Sequence, residues 1–415
     1  MRLINNKSGK LSLYFINFIL VSLLFSTELI SQEKRNFGIS FEGYVRTDFI
    51  YDSREVLNLR EGHFLFFPLE EKKDSEGRVI NDRPSLNMLA IQTRLAGKIT
   101  APDFLDAKTS GMIEAEFFGH SDGDINGFRL RHAFVKMEWQ KSSLLIGQFW
   151  HPMFVAEVFP DVVSFNTGAP FQPFSRNPQF RFTQSLGSLN LIAVAYSQRD
   201  FSNIGPSGTS SIYLRNAALP GIHLQTLIRL NNLILGFGGD VKTIKPKTVT
   251  EKNIFTDETI TSFSGIAYAK YTSSNFSAKL EGVIGQNTTD LMMLGGFGVY
   301  DKSAATGIEK YSALNSFSIW SDFSFGKEIQ FGLFAGYSGN LGSDKTVISN
   351  FARGFNIDYL YRVSPRIIYN NGKIRIAGEL EYTSAAYGTP DSKGKFVDSD
   401  EVGNLRLLGA VYLFF

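Results

Sequence analysis

The stretch that most constrains this chain is its last twelve residues, Asn404 to Phe415, which read NLRLLGAVYLFF. Counting back from Phe415 by twos gives Leu413, Val411, Gly409, Leu407 and Leu405, and the intervening set is Phe414, Tyr412, Ala410, Leu408 and Arg406. A period of two is a strand's period, because successive side chains point to opposite faces. This strand is apolar on both faces. Two environments tolerate that. One is a core strand of a soluble domain, covered on both sides. The other is the closing strand of a membrane-spanning β-barrel, with one face on lipid.

Two-residue alternation recurs from about residue 38 onwards, in segments separated by Gly, Asn, Asp, Ser and Pro clusters. Gly38–Tyr51 sets Tyr44, Arg46 and Asp48 against Val45, Thr47 and Phe49. Leu86–Thr100 sets Gln92, Arg94 and Lys98 against Ile91, Leu95 and Ile99, and Thr109–His120 sets Glu114 and Glu116 against Ile113, Ala115 and Phe117. Gly127–Trp139 sets Arg129 and Arg131 against Phe128 and Leu130, with Lys136 out of phase. Leu144–Phe149 is shorter. After a gap follow Pro178–Gly187, Ser188–Ser197, Gly221–Leu230, Leu233–Ile244, Ser262–Tyr271, Phe276–Gln286, Met292–Tyr300, Tyr311–Phe325, Ile329–Ser338, Phe355–Tyr369 and Lys373–Ser384. The last of these places Lys373, Arg375, Glu379 and Glu381 on one face and Ile374, Ile376 and Leu380 on the other.

Tight joins at Asn231-Asn232, Ser273–Asn275, Gly326–Glu328 and Asn370–Gly372 alternate with longer polar stretches at Asp52–Pro84, Arg199–Leu219, Lys245–Ile260 and Tyr387–Gly403. Short turns on one rim and long loops on the other are the layout of an up-and-down transmembrane barrel, whose strand number is even. About seventeen segments are countable, so one is split or misplaced. The expected fold is all-β: a transmembrane up-and-down antiparallel barrel of about 16 strands, within a range of 14 to 18.

The charges within the strands decide between the two environments. A soluble sandwich also alternates, with charge outside and apolar residues in its core. Here nearly every strand alternates, leaving no fully buried central strand, and the apolar positions are rich in Phe, Leu and Ile along their whole length. In a barrel the charged set points into a wet lumen. On the lipid face an arginine costs about 2–4 kcal/mol at the bilayer midplane. Composition agrees: 38 Phe, 16 Tyr and 38 Gly suit aromatic girdles and strongly curved sheet. The mean hydropathy of −0.06 excludes a helical membrane protein, and the single long apolar run lies near the N-terminus.

That run, Leu11 to Phe25, follows the basic residues Arg2, Lys7 and Lys10. It is shorter than the roughly 20 residues a spanning helix needs, and reads as a signal peptide over 1–31. Cleavage is expected near Ser31–Gln32, although Leu29 is not the small residue preferred there; the alternative is an uncleaved anchor. Residues 32–415 then form a single barrel domain. With no Cys in the chain, there is neither a lipid-anchor cysteine nor a disulfide framework. A net charge of +2 gives no reason to invoke nucleic acid.

The alternation stops between Trp150 and Asn177. This gap carries Pro152, Pro160, Pro170 and Pro173, with Pro178 just beyond, which forbids a central strand. Yet it is rich in Phe and Val. A long, apolar, irregular segment is unusual unless functional or packed. The expectation is that 150–177 folds into the barrel as a constriction loop; the alternative is an external loop packed on its neighbours or at a subunit interface.

The run GQFWHPMF (Gly147–Phe154) followed by VVSFNTGAPFQPFSRNPQFRFTQS (Val162–Ser185) resembles the DcaP-like trimeric porin family, particularly its Bacteroidetes branch. The closing stretch, with Phe415, Leu413 and Val411 on one face, likewise resembles the C-terminal signal that outer-membrane barrels present to the barrel-assembly machinery. The family resemblance implies a 16-stranded homotrimeric barrel in the bacterial outer membrane, passing small, often anionic, solutes past an inward loop and arginines. One departure is that the better-known family members carry a periplasmic N-terminal coiled-coil extension, whereas here only a few residues are expected between the signal and the first strand.

Catalytic and metal-binding patterns are sparse. His63, His120, His132, His151 and His223 form no metal-ligand spacing. His120 with Asp122 and Asp124 is the nearest approach to a catalytic or cation-binding set, but HSDGDING reads as a turn. Gly295-Gly296-Phe297-Gly298 falls inside a strand rather than before a helix, so it cradles no phosphate. No enzyme and no cofactor are expected. The expected function is an outer-membrane porin for small hydrophilic, including anionic, solutes. Arg94, Arg129, Arg131, Arg176 and Arg181 are expected on the cationic side of the pore, with Glu114 and Glu116 facing them. The alternatives are a non-conducting barrel acting as adhesin or structural protein, and a channel for hydrophobic substrates.

Overall fold

The computed structural model describes residues 37–415; the stretch read as a signal peptide, 1–31, lies outside the described residues. Sixteen antiparallel strands, here β1 to β16, form the barrel wall. They are Gly38–Asp52, Arg94–Phe104, Ala107–Glu116, Arg129–Glu138, Ser142–Trp150, Arg176–Leu186, Leu189–Tyr196, Gly221–Leu230, Leu233–Ile244, Ile260–Thr272, Phe276–Gln286, Glu309–Gly326, Ile329–Ser343, Ile357–Asn371, Ile374–Tyr387 and Asp400–Phe414. Each pairs with the next, and the sheet closes when β16 pairs with β1, from Tyr44↔Phe414 to Asp52↔Arg406. Phe415 extends the ladder by donating its N–H to the Gly43 carbonyl at 3.1 Å. Closure leaves no edge strand, so every wall strand has a ladder partner on both sides.

The connections alternate strictly, seven short turns on one rim and eight long loops on the other. Outward positions are apolar all round the wall: Val45, Ile113, Phe180, Leu224, Phe263, Phe331, Ile376 and Leu413 are all exposed. An apolar belt this continuous is stable only against hydrocarbon, which gives the barrel its membrane orientation. The intervening residues face a filled interior, where Arg406, Glu381, Asp48 and Trp320 are all buried.

Four details depart from the pattern read in the sequence. The segment Leu86–Thr100 is two pieces, Ser85–Leu89 and β2, both paired with β1 and separated by a turn at 90–93 that buries Ile91 instead of turning it to lipid. The surplus segment among the seventeen is Met292–Tyr300, which is no barrel strand. Its strand, Gly295–Lys302, pairs only with the long-loop end of β12 and with Ser349–Arg353. The polar stretch Asp52–Pro84 contains a hairpin, Val56–Leu59 with Phe64–Pro68, whose Phe64, Leu65, Phe66 and Phe67 are buried. Finally, β4 carries a bulge. Glu114 pairs with His132 but Ala115 with Leu130, so Arg131 is an extra residue. A bulge reverses which face alternate residues occupy. Arg129 and Arg131 face inward before it, and Phe134, Lys136 and Glu138 after it. That is why Lys136 looks out of phase, and it forms an ion pair with Glu138 at 2.6 Å.

The bulge generates a prediction. Val135, half exposed on the outer face, sits in lipid, so Val135→Arg should destabilise the barrel by up to about 2–4 kcal/mol, the midplane value. Lys136→Gln, on the lumen side, should leave it within about 0.5 kcal/mol. Urea titration of the folded barrel, followed by its heat-modifiable gel mobility, distinguishes the two; equal effects would contradict the register.

Candidate functional site

Three of the long connections turn into the barrel. The first supplies the hairpin 56–68, the second is 151–175, and the third is 287–294, where Thr288 to Leu294 are buried throughout. Aromatic residues weld them together. Trp150 stacks on Phe154 at 3.8 Å, Phe165 on Phe118 at 4.1 Å, and Phe174 makes edge contacts with Phe64 at 5.4 Å and Trp150 at 5.2 Å. The Phe174 N–H donates to the Leu291 carbonyl at 2.8 Å, joining the second and third segments. Within 151–175 the chain proceeds by consecutive turns, including Ala169 N–H to Asn166 O and Phe171 N–H to Gly168 O. Gly168 has φ +85°, and a Cβ there would lie 2.8 Å from Pro160 Cγ, so only glycine fits.

Backbone without a ladder, buried inside a barrel, must find other partners. The wall provides them as cations. Arg46 Nη2 donates to Val163 O at 2.7 Å, Arg181 Nη2 to Trp150 O at 2.9 Å, and Arg362 Nη1 to Ala169 O at 2.9 Å. Lys270 Nζ reaches Glu157 O at 2.8 Å and Lys279 Nζ reaches Phe159 O at 3.0 Å. Arg362 also donates to Phe66 O at 3.0 Å, gripping the hairpin, and Arg353 Nη1 holds Thr289 O at 2.9 Å in the third segment. Carboxylates take the loop's N–H groups: Asp322 accepts from Asp161 N–H at 3.0 Å and Glu379 from Val163 N–H. These clamps come from β1, β6, β10, β11, β12, β14 and β15, so the second segment is anchored on most sides of the lumen.

Of the five arginines singled out in the sequence, four come together. Glu116 accepts from Arg129 at 2.9 Å, Arg131 at 2.7 Å and Arg94 at 3.1 Å; Glu114 accepts from Arg131 at 2.6 Å. Arg176 donates to Asp200 at 2.8 Å, and Arg129 approaches the same carboxylate at 3.5 Å. Arg181 lies apart, its guanidinium 5.2 Å from the Phe149 ring centre. The expected arrangement is thus corrected in one respect. Glu114 and Glu116 do not face the arginines across the lumen but lie on the strand between them, because β2, β3 and β4 are neighbours. Arg176 opens β6 and is not on the loop itself. Phe415, Leu413 and Val411 are exposed on the outer face of β16.

Other lumen groups lay beyond sequence reasoning. Arg366 forms a two-pronged pair with Asp322 at 2.6 and 3.1 Å, and Arg406 pairs with Asp52 at 2.7 Å. His223 Nδ1 approaches Asp240 at 3.3 Å, with Tyr196 donating to the same carboxylate at 2.7 Å. The alternation of charge in each strand was visible; which strands share a partner was not. Asp122, from the HSDGDING turn, accepts from the Arg60 N–H at 2.8 Å and so serves the packing of the first inward connection.

Towards the short-turn rim, the inward segments leave a cavity of ≈ 280 Å³. Arg46, Arg94, Arg131 and Arg375 line it, with Glu114 the sole acidic residue, and Trp150, Phe154 and Phe174 form its floor. A second cavity of ≈ 260 Å³ shares Tyr44, Arg94, Glu114 and Phe414 with it and reaches Phe415. Arg375 makes no ion pair among the described residues; it lies against Phe414 and donates to Asn370. On the long-loop side a groove of ≈ 850 Å³ is lined by Glu55, Glu70 and Glu71 together with Lys72 and Arg83.

No protein-family model matches the chain, and no curated protein sequence matches it significantly. Solved structures do. The outer membrane channel DcaP of Acinetobacter baumannii superposes with a TM-score of 0.66 at 15% identity, over 92% of this chain and 99% of that one. The anion-selective porin from Comamonas acidovorans gives 0.54 at 11% identity, over 92% and 100%. OmpT of Vibrio cholerae, in a trimer form, gives 0.55 at 11%, over 92% and 100%. At such identities the likeness is one of fold, and the fold is that of outer-membrane channels.

Two predictions follow from the packing. Removing the shared anion by Glu116→Ala leaves three arginines short of a partner in a fully buried site, and should cost about 3–5 kcal/mol of unfolding free energy in detergent. A loss under 1 kcal/mol would show the cluster to be hydrated. In the hairpin turn, burial holds the His63 imidazole down to about 4, against the opposing pull of Asp48 3.6 Å away. Its folded value lies below its unfolded one of roughly 6.5, so the stability it lends is complete above pH 6.5 and is lost as pH falls through about 4. Hydrogen-exchange protection over 56–68, taken relative to the intrinsic rate at each pH, should therefore fall across that window in the wild type, and His63→Gln should abolish the fall.

Proposed function

We propose that this chain is a porin of the bacterial outer membrane, through which small hydrophilic solutes, anionic ones preferred, diffuse past the inward segment 150–177. The observation that carries this reading is the cavity at the short-turn end, where four arginines meet a single, largely buried carboxylate, Glu114. Most wall cations are committed to backbone carbonyls or carboxylates. Arg375, which makes no ion pair among the described residues, and Arg94, the least buried of the cluster although paired with Glu116, are the ones with surface left to meet a passing anion. Charged rings at a constriction set ion preference by favouring entry of the opposite sign without binding it too tightly to leave. Arg129, Arg131, Arg176 and Arg181 act on permeation through the field they add behind this surface, with Glu114 and Glu116 as its anionic counterpart. The fold shared with outer-membrane channels and the apolar belt support the location. The motif resemblance supports a homotrimer of the DcaP-like kind, an exported precursor, and a closing strand recognised during assembly.

A second reading has its own support. The inward segments are buried and clamped around the wall, as in a barrel that conducts nothing and presents its long loops to a partner. Planar-bilayer recording of the purified protein under a salt gradient separates the two. Steady open steps with an anion-favouring reversal potential, shifted towards cations in an Arg94→Gln/Arg375→Gln double variant, are expected of the porin. Conductance with an unshifted potential would remove these arginines from the pathway, and silence from folded protein would establish the plugged barrel.

A further inference from the structure

The outer wall is not uniform. On β7 the outward residues Ala193 and Ala195 are small, while the outward residues beside them on β6 and β8 are large. Ala195 pairs with Phe180 on one side and Ile222 on the other, and Ala193 pairs with Phe182 and Leu224. A strand of small residues between two ridges makes a trough. Two cavities occupy it end to end, one of ≈ 530 Å³ over Phe180 and Ala195 and one of ≈ 490 Å³ over Phe182, Ala193 and Leu224. From Leu191 to Ser197 it runs six residue steps, about 20 Å at the rise of a strand, which on a tilted strand matches one leaflet of the hydrocarbon core.

At its long-loop end the trough is roofed by Leu214, Arg215 and Leu219, from the helix Ile212–Ala217 and the residues after it. Arg215 is exposed, and its guanidinium makes no ion pair or hydrogen bond among the described residues. The feature thus combines an apolar trough one chain wide, lying in the membrane, with an uncommitted cation at its water-facing end. A second protein copy would need roughly 800 Å² of matching surface per partner, which so narrow a trough does not offer. A single acyl chain joined to an anionic headgroup matches both parts.

We infer that this trough is a specific lipid site, holding one acyl chain of a phosphorylated lipid whose phosphate pairs with Arg215. Because the long-loop rim of such a barrel is the external one, the lipid is the phosphate-bearing glycolipid of the outer leaflet, lipopolysaccharide.

The test uses full-length barrels extracted from outer membranes in mild detergent, with lipopolysaccharide per barrel counted by native mass spectrometry. Ala195→Trp fills the trough; Ile367→Trp, on the outer face of β14, is the control. Arg215→Gln removes the headgroup contact. The wild type and Ile367→Trp should each retain one lipopolysaccharide molecule, Ala195→Trp none, and Arg215→Gln fewer, with retention no longer sensitive to salt. Equal retention in Ala195→Trp and Ile367→Trp, both folded by gel mobility, would overturn the site as ordinary annular lipid. A change of oligomeric state in Ala195→Trp would overturn it in favour of an interface between copies.

Discussion

The interior of this barrel depends on one recurring contact, a cationic wall side chain donating to the carbonyl of an irregular inward segment. Some twenty-five residues of ladderless backbone lie within a wall whose own hydrogen bonds are already complete. Each buried carbonyl left without a donor would cost about 1–3 kcal/mol. Arg46, Arg362, Lys270 and Lys279 meet that need at 2.7–3.0 Å from four different strands, and Arg181 holds the Trp150 carbonyl at 2.9 Å where β5 gives way to the inward segment. Three of these cations also have a carboxylate: Arg46 has Asp48 and Arg362 has Glu381 at 3.1 Å on the wall, and Lys279 has Asp161 at 2.6 Å on the inward segment itself. The carboxylate offsets the desolvation of the charge, and the charge then satisfies the loop.

This division of labour limits what the lumen can do to a solute. A charge pinned between a carboxylate and a carbonyl contributes a field but not a contact. The cluster of Arg94, Arg129, Arg131 and Arg176 shows the gradation, since Arg129 and Arg176 are buried whereas Arg94 retains about a fifth of its side-chain exposure. The bulge at Arg131 helps build it. By inserting one residue, β4 turns Arg129, Arg131 and His132 inward within four positions, a density that regular alternation would not permit.

Much of this was legible in the chain. Alternation over nearly every strand, with short and long connections in turn, is a direct consequence of a wall wet on one side and lipid-bound on the other. It led to the correct barrel and strand number. The proline-rich, aromatic stretch after Trp150 announced an irregular packed segment for the same reason, since proline breaks a ladder and phenylalanine avoids water. The run FLFFP at Phe64–Pro68 carries a similar signal inside a polar loop, but five residues are too few for the pattern to stand out from its surroundings. The bulge left only one trace, Lys136 out of phase.

What the sequence by itself determined was the face on which most wall residues lie, because side-chain direction along an unbroken strand follows from local geometry. What only the tertiary structure decided was who meets whom. Glu116 meets Arg94, Arg129 and Arg131 because β2, β3 and β4 are adjacent, and Arg46 reaches Val163 across 117 residues of chain because both line one lumen. Partnership depends on register, closure and the path of the inward segments. Those are properties of the whole barrel, and no local pattern encodes them.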